Sequence, residues 1–229
     1  MNRPARLTGA LVVGLALALL TGAAVNSAPG PRQELDQAMK LAQRANDTLD
    51  VQNLMGRYVQ YAMANHWTEV ADLFALKTPT VRLSVVAPIE GPEAVRRFFE
   101  ARRDAARPGA MMQHTLSTPV IEVAGDGKTA KAVWDSPGTE TQGGDGPAYW
   151  AWIKYGADFI KEDGVWKIWR LKVYPTFRTP YDKSWVETAQ GAAAAPPGAP
   201  WRYNGKDTPP LEPAPPRPYF TFDPQTAYQ

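Results

Sequence analysis

The sequence predicts a single α+β domain in which N-terminal helices pack on a curved, mostly antiparallel β-sheet. Two observations lead to this fold class. Apolar residues recur every three or four positions up to about residue 103, as in amphipathic helices, and then every second position up to about residue 177, as in strands. Hydrophobic residues make up 44% of the chain, which is enough to build one core over the roughly 160 residues between the termini.

Both ends differ from the middle in composition. Residues 1–28 are typical of a secretory signal, with Arg3 and Arg6 before an apolar run that is too short to span a bilayer. We therefore expect a periplasmic or secreted protein with no membrane contact after cleavage. The remaining chain is divided into a helical extension, a folded domain and a Pro-rich tail at residues 29–46, 47–189 and 190–229. Because the tail is also rich in aromatic residues, it either lies along the domain or a neighbouring subunit, or is disordered.

Four helices are expected in the first half of the chain, over residues 32–44, 51–65, 66–76 and 92–103. Asp47 or Asp50 is expected to cap the second helix, whose apolar residues recur on one face. Pro92 suits the first position of the fourth helix, because a proline lacks only an N–H group that would be unpaired there.

Five strands are expected, over residues 80–86, 112–123, 129–142, 147–161 and 165–177. Asp126-Gly127 and Asp163-Gly164 fit tight hairpin turns, since glycine accepts the positive φ angles that such turns require. The stretch from Pro88 to Pro92 is expected to form a turn.

The last strand carries cations whose direction the sequence does not decide. Alternation puts Arg170, Lys172 and Tyr174 on one face, and Leu171 and Val173 on the other. If the first set lines a pocket, Arg170 and Lys172 can stabilise a developing anion. If the second set does, these cations are solvated.

Several kinds of chemistry are excluded by what the chain lacks. It has no Cys and only two His, so thiol nucleophiles, disulfides and transition-metal sites are not expected. It has no glycine-rich phosphate loop, dinucleotide fingerprint or nucleophile elbow. Net charge is +2, and acidic residues interleave the arginines at residues 96–107, so that run is interpreted as a solvated helix face rather than a nucleic-acid footprint. Any reaction is expected to be cofactor-independent acid–base chemistry.

The order and spacing of several short elements resemble the SnoaL-like family of the nuclear transport factor 2 superfamily. They are Arg57-Tyr58, Trp67, Ala71-Asp72-Leu73-Phe74, Gly91, Phe98-Phe99, His114, Asp158, Gly164-Val165-Trp166-Lys167-Ile168 and Thr179-Pro180-Tyr181. The resemblance implies a cone-shaped fold with a pocket between the helices and the sheet. Members include dehydratases, cyclases, isomerases and a branch of lyases that release formaldehyde from lignin-derived aromatic dimers, together with non-enzymatic binding modules.

The resemblance implies a proton-carrying role for His114, which matches a pocket histidine of the scytalone dehydratase-like members. Many members place an aspartate partner where this chain has Met63. Tyr58 and Tyr61 are candidate replacements, although both can be ordinary core residues. The other candidates for substrate contact are Met63, Met112, Trp134, Trp152, Tyr155 and Tyr174.

Two functions remain open at this point. The first is a cofactor-independent lyase that dehydrates or deformylates a hydrophobic aromatic compound, with cyclisation or isomerisation of a polyketide-like or steroid-like ligand as a variant. The second is a non-catalytic binding or assembly module. A homo-oligomer is expected in either case, because the resemblance implies association through the sheets, and Trp150 and Trp152 favour an interface if their side of the strand is the exposed one.

Overall fold

The computed structural model describes residues 30–105, 107–143, 146–186 and 212–228. The predicted signal at 1–28, the last residues of the predicted domain, 187–189, and the first part of the predicted tail, 190–211, lie outside the described residues. The chain divides after Ala38 into two units, and the second unit carries the domain. None of the helices in the described ranges is both long enough and apolar enough to cross a membrane.

Three α-helices and seven strands form the described fold. The helices are α1 (Pro31–Met63), α2 (Trp67–Asp72) and α3 (Pro92–Asp104). The strands are β1 (Arg82–Ser84), β2 (Pro88–Glu90), β3 (Ala110–His114), β4 (Ser117–Val123), β5 (Thr129–Gln142), β6 (Ala148–Glu162) and β7 (Val165–Pro180). The α+β class predicted from the sequence is confirmed.

The sheet has the order β2-β1-β7-β6-β5-β3, and β4 also pairs with β5. Among the described strands, β1 runs parallel to β7 and the other pairs are antiparallel. One face of the sheet packs against the apolar stripes of the helices, with Val51 and Leu54 of α1 and Val95 and Phe99 of α3 buried in a single core. We call this the inner face and the opposite side the outer face.

The first helix differs from the prediction. No cap interrupts it at Asp47, and α1 continues as one helix to Met63. The Asp47 side chain is instead buried, where it accepts a hydrogen bond of 2.9 Å from Trp166 Nε1 and pairs with Lys161 Nζ at 2.8 Å. A carboxylate with two such partners is satisfied within the fold and does not compete for helical N–H groups.

Two strand predictions are also corrected. The predicted strand 112–123 is two strands, β3 and β4, which are separated by Thr115 and Leu116 and both pair with β5. The predicted turn at 88–92 contains the short strand β2, which pairs with β1. A three-residue strand with a proline leaves too little alternation to be recognised.

The C-terminal residues 212–228 lie along the outer face, as one reading of the tail expected. Lys131 Nζ donates to the carbonyl of Thr226 at 2.7 Å, and the N–H of Tyr228 donates to Asp158 at 3.0 Å. The Tyr228 ring packs over Gly156, where a Cβ would lie 2.7 Å from it. We call residues 212–228 the C-terminal strap.

Candidate active site

A cavity of about 280 Å³ lies between the three helices and the inner face. Its volume is near the lower end of the range for small-molecule sites. The wall is formed mainly by apolar and aromatic side chains from α1, α3 and the long strands, together with a few polar groups. It is lined by Tyr58, Val59, Ala62, Met63, Trp67, Val85, Val86, Phe98, Phe99, Arg102, Met112, His114, Glu140, Ile153, Tyr155, Val173 and Pro175.

His114 ends β3 and turns its ring into this wall. The residue is only 4% exposed, and its Nε2 lies 3.1 Å from Glu140 Oε1. No described residue provides a hydrogen-bond partner for its Nδ1. The ring lies against Gly138, the cross-strand partner of His114, where an added Cβ would be 2.5 Å from Nδ1. Glycine at 138 therefore makes the space that the ring occupies.

Glu140 lies on β5, two residues after Gly138 and on the same face of the strand, where it contacts the imidazole of His114. Its second oxygen accepts a hydrogen bond of 2.7 Å from Arg178 Nε on β7. Burial opposes ionisation of this carboxyl, but the hydrogen bonds from His114 and Arg178 outweigh burial and hold the pKa of Glu140 at about 2. Because an ionised carboxylate only accepts hydrogen bonds, His114 Nε2 carries the proton, and Nδ1 is the lone-pair position of the neutral ring.

Two phenol side chains contact each other in the wall of the same cavity. The rings of Tyr58 and Tyr155 are 6.0 Å apart in an edge-to-face arrangement. Burial raises the pKa of Tyr58 to about 12 and raises the pKa of Tyr155 well above its usual value. Both side chains are therefore protonated at neutral pH and serve as hydrogen-bond donors.

Arg102 has a contact that the sequence interpretation did not include. The charged run at residues 96–107 predicts solvated arginines, and Arg102 is exposed, but its guanidinium also lies over the ring of Trp67 at 5.4 Å and over that of Phe98 at 5.0 Å. The side chain thereby reaches the cavity wall. Interleaved acidic residues in a helix do not reveal which single arginine points along the helix towards a pocket.

Five of the predicted site residues line the cavity: Tyr58, Met63, Met112, His114 and Tyr155. Three others lie elsewhere. Tyr61 stacks on His66 at 6.2 Å, beside the end of α1, and does not line the cavity. Trp134 is on the inner face but is covered in the core, with Phe159 at its edge. Trp152 lies on the outer face and is 39% exposed.

Arg170, Lys172 and Tyr174 are also outside the cavity, which corrects the expectation that the two cations stabilise an anion there. The cause is a β-bulge at Trp169, the extra residue between the paired positions 168 and 170 of β7. Before the bulge the even-numbered Ile168 points inward, and after it the odd-numbered Leu171 does. Strict alternation along the sequence therefore placed inward-facing and outward-facing residues of β7 in one set. Arg170 pairs with Asp158, and Lys172 and Tyr174 lie beside the C-terminal strap.

Glu140, Arg178 and Arg102 were not among the predicted site residues. The sequence contains one usable signal, since Glu140 shares a face with Trp134 by alternation along β5. The contact of Glu140 with His114 depends on the register of β3 against β5. The contact of Glu140 with Arg178 depends on a second bulge, at Thr176 of β7. Neither can be read from one sequence.

The arrangement provides acid–base groups in a mostly apolar cavity. A carboxylate orients an imidazole, two neutral phenols can donate hydrogen bonds, and guanidinium groups supply positive charge. In the described part of the chain, no three His, Asp or Glu side chains cluster in a way that could hold a metal ion.

Comparison with known proteins agrees with this architecture. Residues 43–172 match the family model of the SnoaL-like domain. No curated protein matches the sequence. One similar solved structure is a "putative scytalone dehydratase" from Novosphingobium aromaticivorans, with 18% identity and TM-score 0.54; the match covers 63% of this chain and 93% of that one. Another is a type 2 hexachlorocyclohexane dehydrochlorinase, with 15% identity and TM-score 0.53; the match covers 69% of this chain and 98% of that one.

A third similar structure is the type 3 dehydrochlorinase from Novosphingobium barchaimii, with 14% identity and TM-score 0.52, which covers 62% of this chain and 95% of that one. At these identities the likeness is one of fold. The family model covers more than half of the chain. This protein therefore belongs to the SnoaL-like family of the nuclear transport factor 2 superfamily.

Proposed function

We propose that the protein is a cofactor-independent lyase that acts on a hydrophobic aromatic compound. The observation that carries this proposal is the Glu140–His114 pair in the wall of an apolar cavity. A buried imidazole held in one tautomer by a carboxylate is suited to moving a proton near neutral pH. Dehydratase and dehydrochlorinase are names of proteins with this fold, and both names denote eliminations without a redox change.

In an elimination of water, the His114 imidazole accepts a proton from the carbon next to the one that bears the leaving hydroxyl. The electrons of that C–H bond form the new double bond, and the C–O bond breaks. Tyr58 or Tyr155 donates a hydrogen bond to the departing oxygen, and the imidazolium returns the proton so that water leaves. Glu140 stabilises the transient imidazolium.

A lignin-derived phenolic dimer is the finer proposal. In such a compound, a para-phenol expels a benzylic hydroxyl as water and forms a quinone methide. Loss of the proton from a terminal hydroxymethyl group then breaks the adjacent C–C bond, releases formaldehyde and returns the electron pair to the ring. The aromatic wall formed by Trp67, Phe98 and Phe99 supports a flat ligand.

The alternative is a non-catalytic binding module. That reading expects a cavity filled by the protein's own side chains and a histidine on the solvent side. An open volume of about 280 Å³ and a 4% exposed His114 in its wall favour the lyase.

We further propose export and self-association. Residues 1–28 are the basis for a periplasmic or secreted location. The outer face beyond the C-terminal strap exposes aromatic side chains, with Trp150 46% and Trp185 53% exposed and Phe177 stacked on Trp185 at 5.6 Å. A second copy of the chain is the proposed cover for this patch. N-terminal sequencing of the exported protein and light scattering after gel filtration test the two points.

The lyase proposal is tested by screening phenolic dimers that carry benzylic hydroxyl and hydroxymethyl groups, with mass spectrometry for dehydrated products and a formaldehyde assay. The chain provides a matched pair of variants, since it has two histidines. His114→Asn is expected to lose at least about 100-fold in turnover. His66→Asn changes a half-exposed residue and is expected to retain it. Binding of these compounds without any product would favour the binding module.

A further inference from the structure

Arg102 lies in the wall shared by two neighbouring spaces. On one side is the cavity described above, and on the other is a recess of about 320 Å³ that opens beside the start of β3. Both spaces are lined by Trp67, Arg102, Met112 and Glu140. Arg178 lines the recess but not the cavity. The guanidinium of Arg102 is therefore within reach of a ligand in either space.

Among the described residues, no carboxylate lies within ion-pairing distance of Arg102, whereas Arg103 on the same helix pairs with Asp104 and Arg178 pairs with Glu140. Its observed contacts are the two aromatic rings below it. These rings hold the guanidinium in place and leave its N–H donors available to a ligand.

The surroundings also suit an anion. The negative charge of Glu140 at this boundary is balanced by Arg178 and by the hydrogen bond from His114. Burial raises the pKa of Tyr58 and Arg102 lowers it, so the field of Arg102 reaches that phenol; at Tyr155, burial and the charge of Glu140 raise the pKa by more than Arg102 lowers it.

We propose that Arg102 is a specificity-determining residue that binds the carboxylate of an aromatic acid. A planar guanidinium matches a carboxylate with two parallel hydrogen bonds, and a carboxylate is ionised at neutral pH whereas a phenol is not. The aromatic part lies in the cavity against Trp67 and Phe98, and the acid group lies in the recess. The inference deepens the proposed function by naming the substrate class, and it rests on that proposal only for turnover, not for binding.

The test measures binding by isothermal titration calorimetry with two probes of nearly equal shape: biphenyl-4-carboxylate and its neutral amide, biphenyl-4-carboxamide. The wild-type protein is expected to bind the acid about tenfold more tightly, the factor for one charge-assisted contact at a partly exposed site. Arg102→Met is expected to remove this preference and to leave amide binding unchanged. Arg97→Met, an exposed residue on the same helix outside the cavity, is the matched control and is expected to behave as wild type.

Equal binding of acid and amide by the wild type would overturn the inference. So would an equal weakening of both probes by Arg102→Met, since that result describes a clamp on the aromatic rings alone. If Arg102→Met does not fold, Arg102→Lys provides the test, because it keeps the charge but loses the two-pronged geometry; a reduced preference with unchanged amide binding supports the inference, and an unchanged preference overturns it. Because no outcome requires turnover, a protein that binds the acid through Arg102 without converting any substrate would contradict the lyase proposal alone.

Discussion

Replacing Lys131 by methionine tests whether the C-terminal strap is anchored by a buried ion pair. Lys131 Nζ lies 2.7 Å from Asp158 Oδ1 and donates to the Thr226 carbonyl at 2.7 Å, and Asp158 is fully buried. Removing one partner of such a pair costs about 3–5 kcal/mol, because a buried charge remains uncompensated. Here the Tyr228 N–H at 3.0 Å and Arg170 at 3.9 Å still face the carboxylate. We therefore expect the lower end, about 3 kcal/mol.

The assay is urea unfolding followed by tryptophan fluorescence, together with limited proteolysis of the tail. A loss of about 3 kcal/mol corresponds to a fall of roughly 6–12 °C in the melting temperature of a domain of this size. Lys128→Met is the matched control, because Lys128 is exposed in the turn before β5, three residues from Lys131. The double variant Lys131→Met, Asp158→Leu removes both charges and is expected to recover only part of the loss, because the Tyr228 N–H and Arg170 lose their acceptor. A cost below about 1 kcal/mol for Lys131→Met, or one equal to that of the control, would refute the reasoning.

Three further predictions concern the cavity and α1. Gly138→Ala is expected to lower activity, because its Cβ would lie 2.5 Å from His114 Nδ1 and displace the ring. Turnover measurements and a crystal structure of the variant, which would show the position of the imidazole, check this. Glu140 is held at a pKa of about 2 against an ordinary 4.5, so the stability it contributes, at most about 3 kcal/mol, is present above pH 4.5 and lost as pH falls towards 2. Unfolding of Glu140→Gln between pH 2 and 6 is expected to lack that component. Asp47→Leu is expected to cost about 2–3 kcal/mol, since the indole N–H of Trp166 loses its buried acceptor; urea unfolding measures it.

Each of these has a contradicting result. Full activity in Gly138→Ala would mean that the ring position is not critical. Parallel pH curves for wild type and Glu140→Gln would mean that the carboxyl is not selectively stabilised in the folded state. An unchanged midpoint for Asp47→Leu would mean that the helix is fixed by apolar packing alone.

Local patterns predicted most of the fold, because they depend on neighbours in sequence. The strand at 129–142 and the turn at Asp163-Gly164 follow from alternation and from the positive φ at glycine, and both are present. The break in helix α1 was wrong because a cap residue was inferred from type alone. Asp47 finds its partners, Lys161 and Trp166, more than a hundred residues later in the chain.

The candidate site was predicted only in part for the same reason. His114 carried a family resemblance, but the carboxylate that holds it comes from β5 and not from α1, where Met63 stands. Recognising Glu140 requires the register of β3 against β5, and excluding Arg170 requires the bulge at Trp169. Bulges and registers are set by tertiary packing, which one sequence does not state.

The central claim, that His114 and Glu140 act as one proton-moving unit, is tested most directly by a double-variant cycle on a converted aromatic substrate. Single variants Glu140→Gln and His114→Asn are expected to lower kcat by about 10–100-fold and by at least about 100-fold. If the two act as a unit, the double variant loses no more than His114→Asn alone. Losses that multiply in the double variant, or full turnover by His114→Asn, would contradict the account.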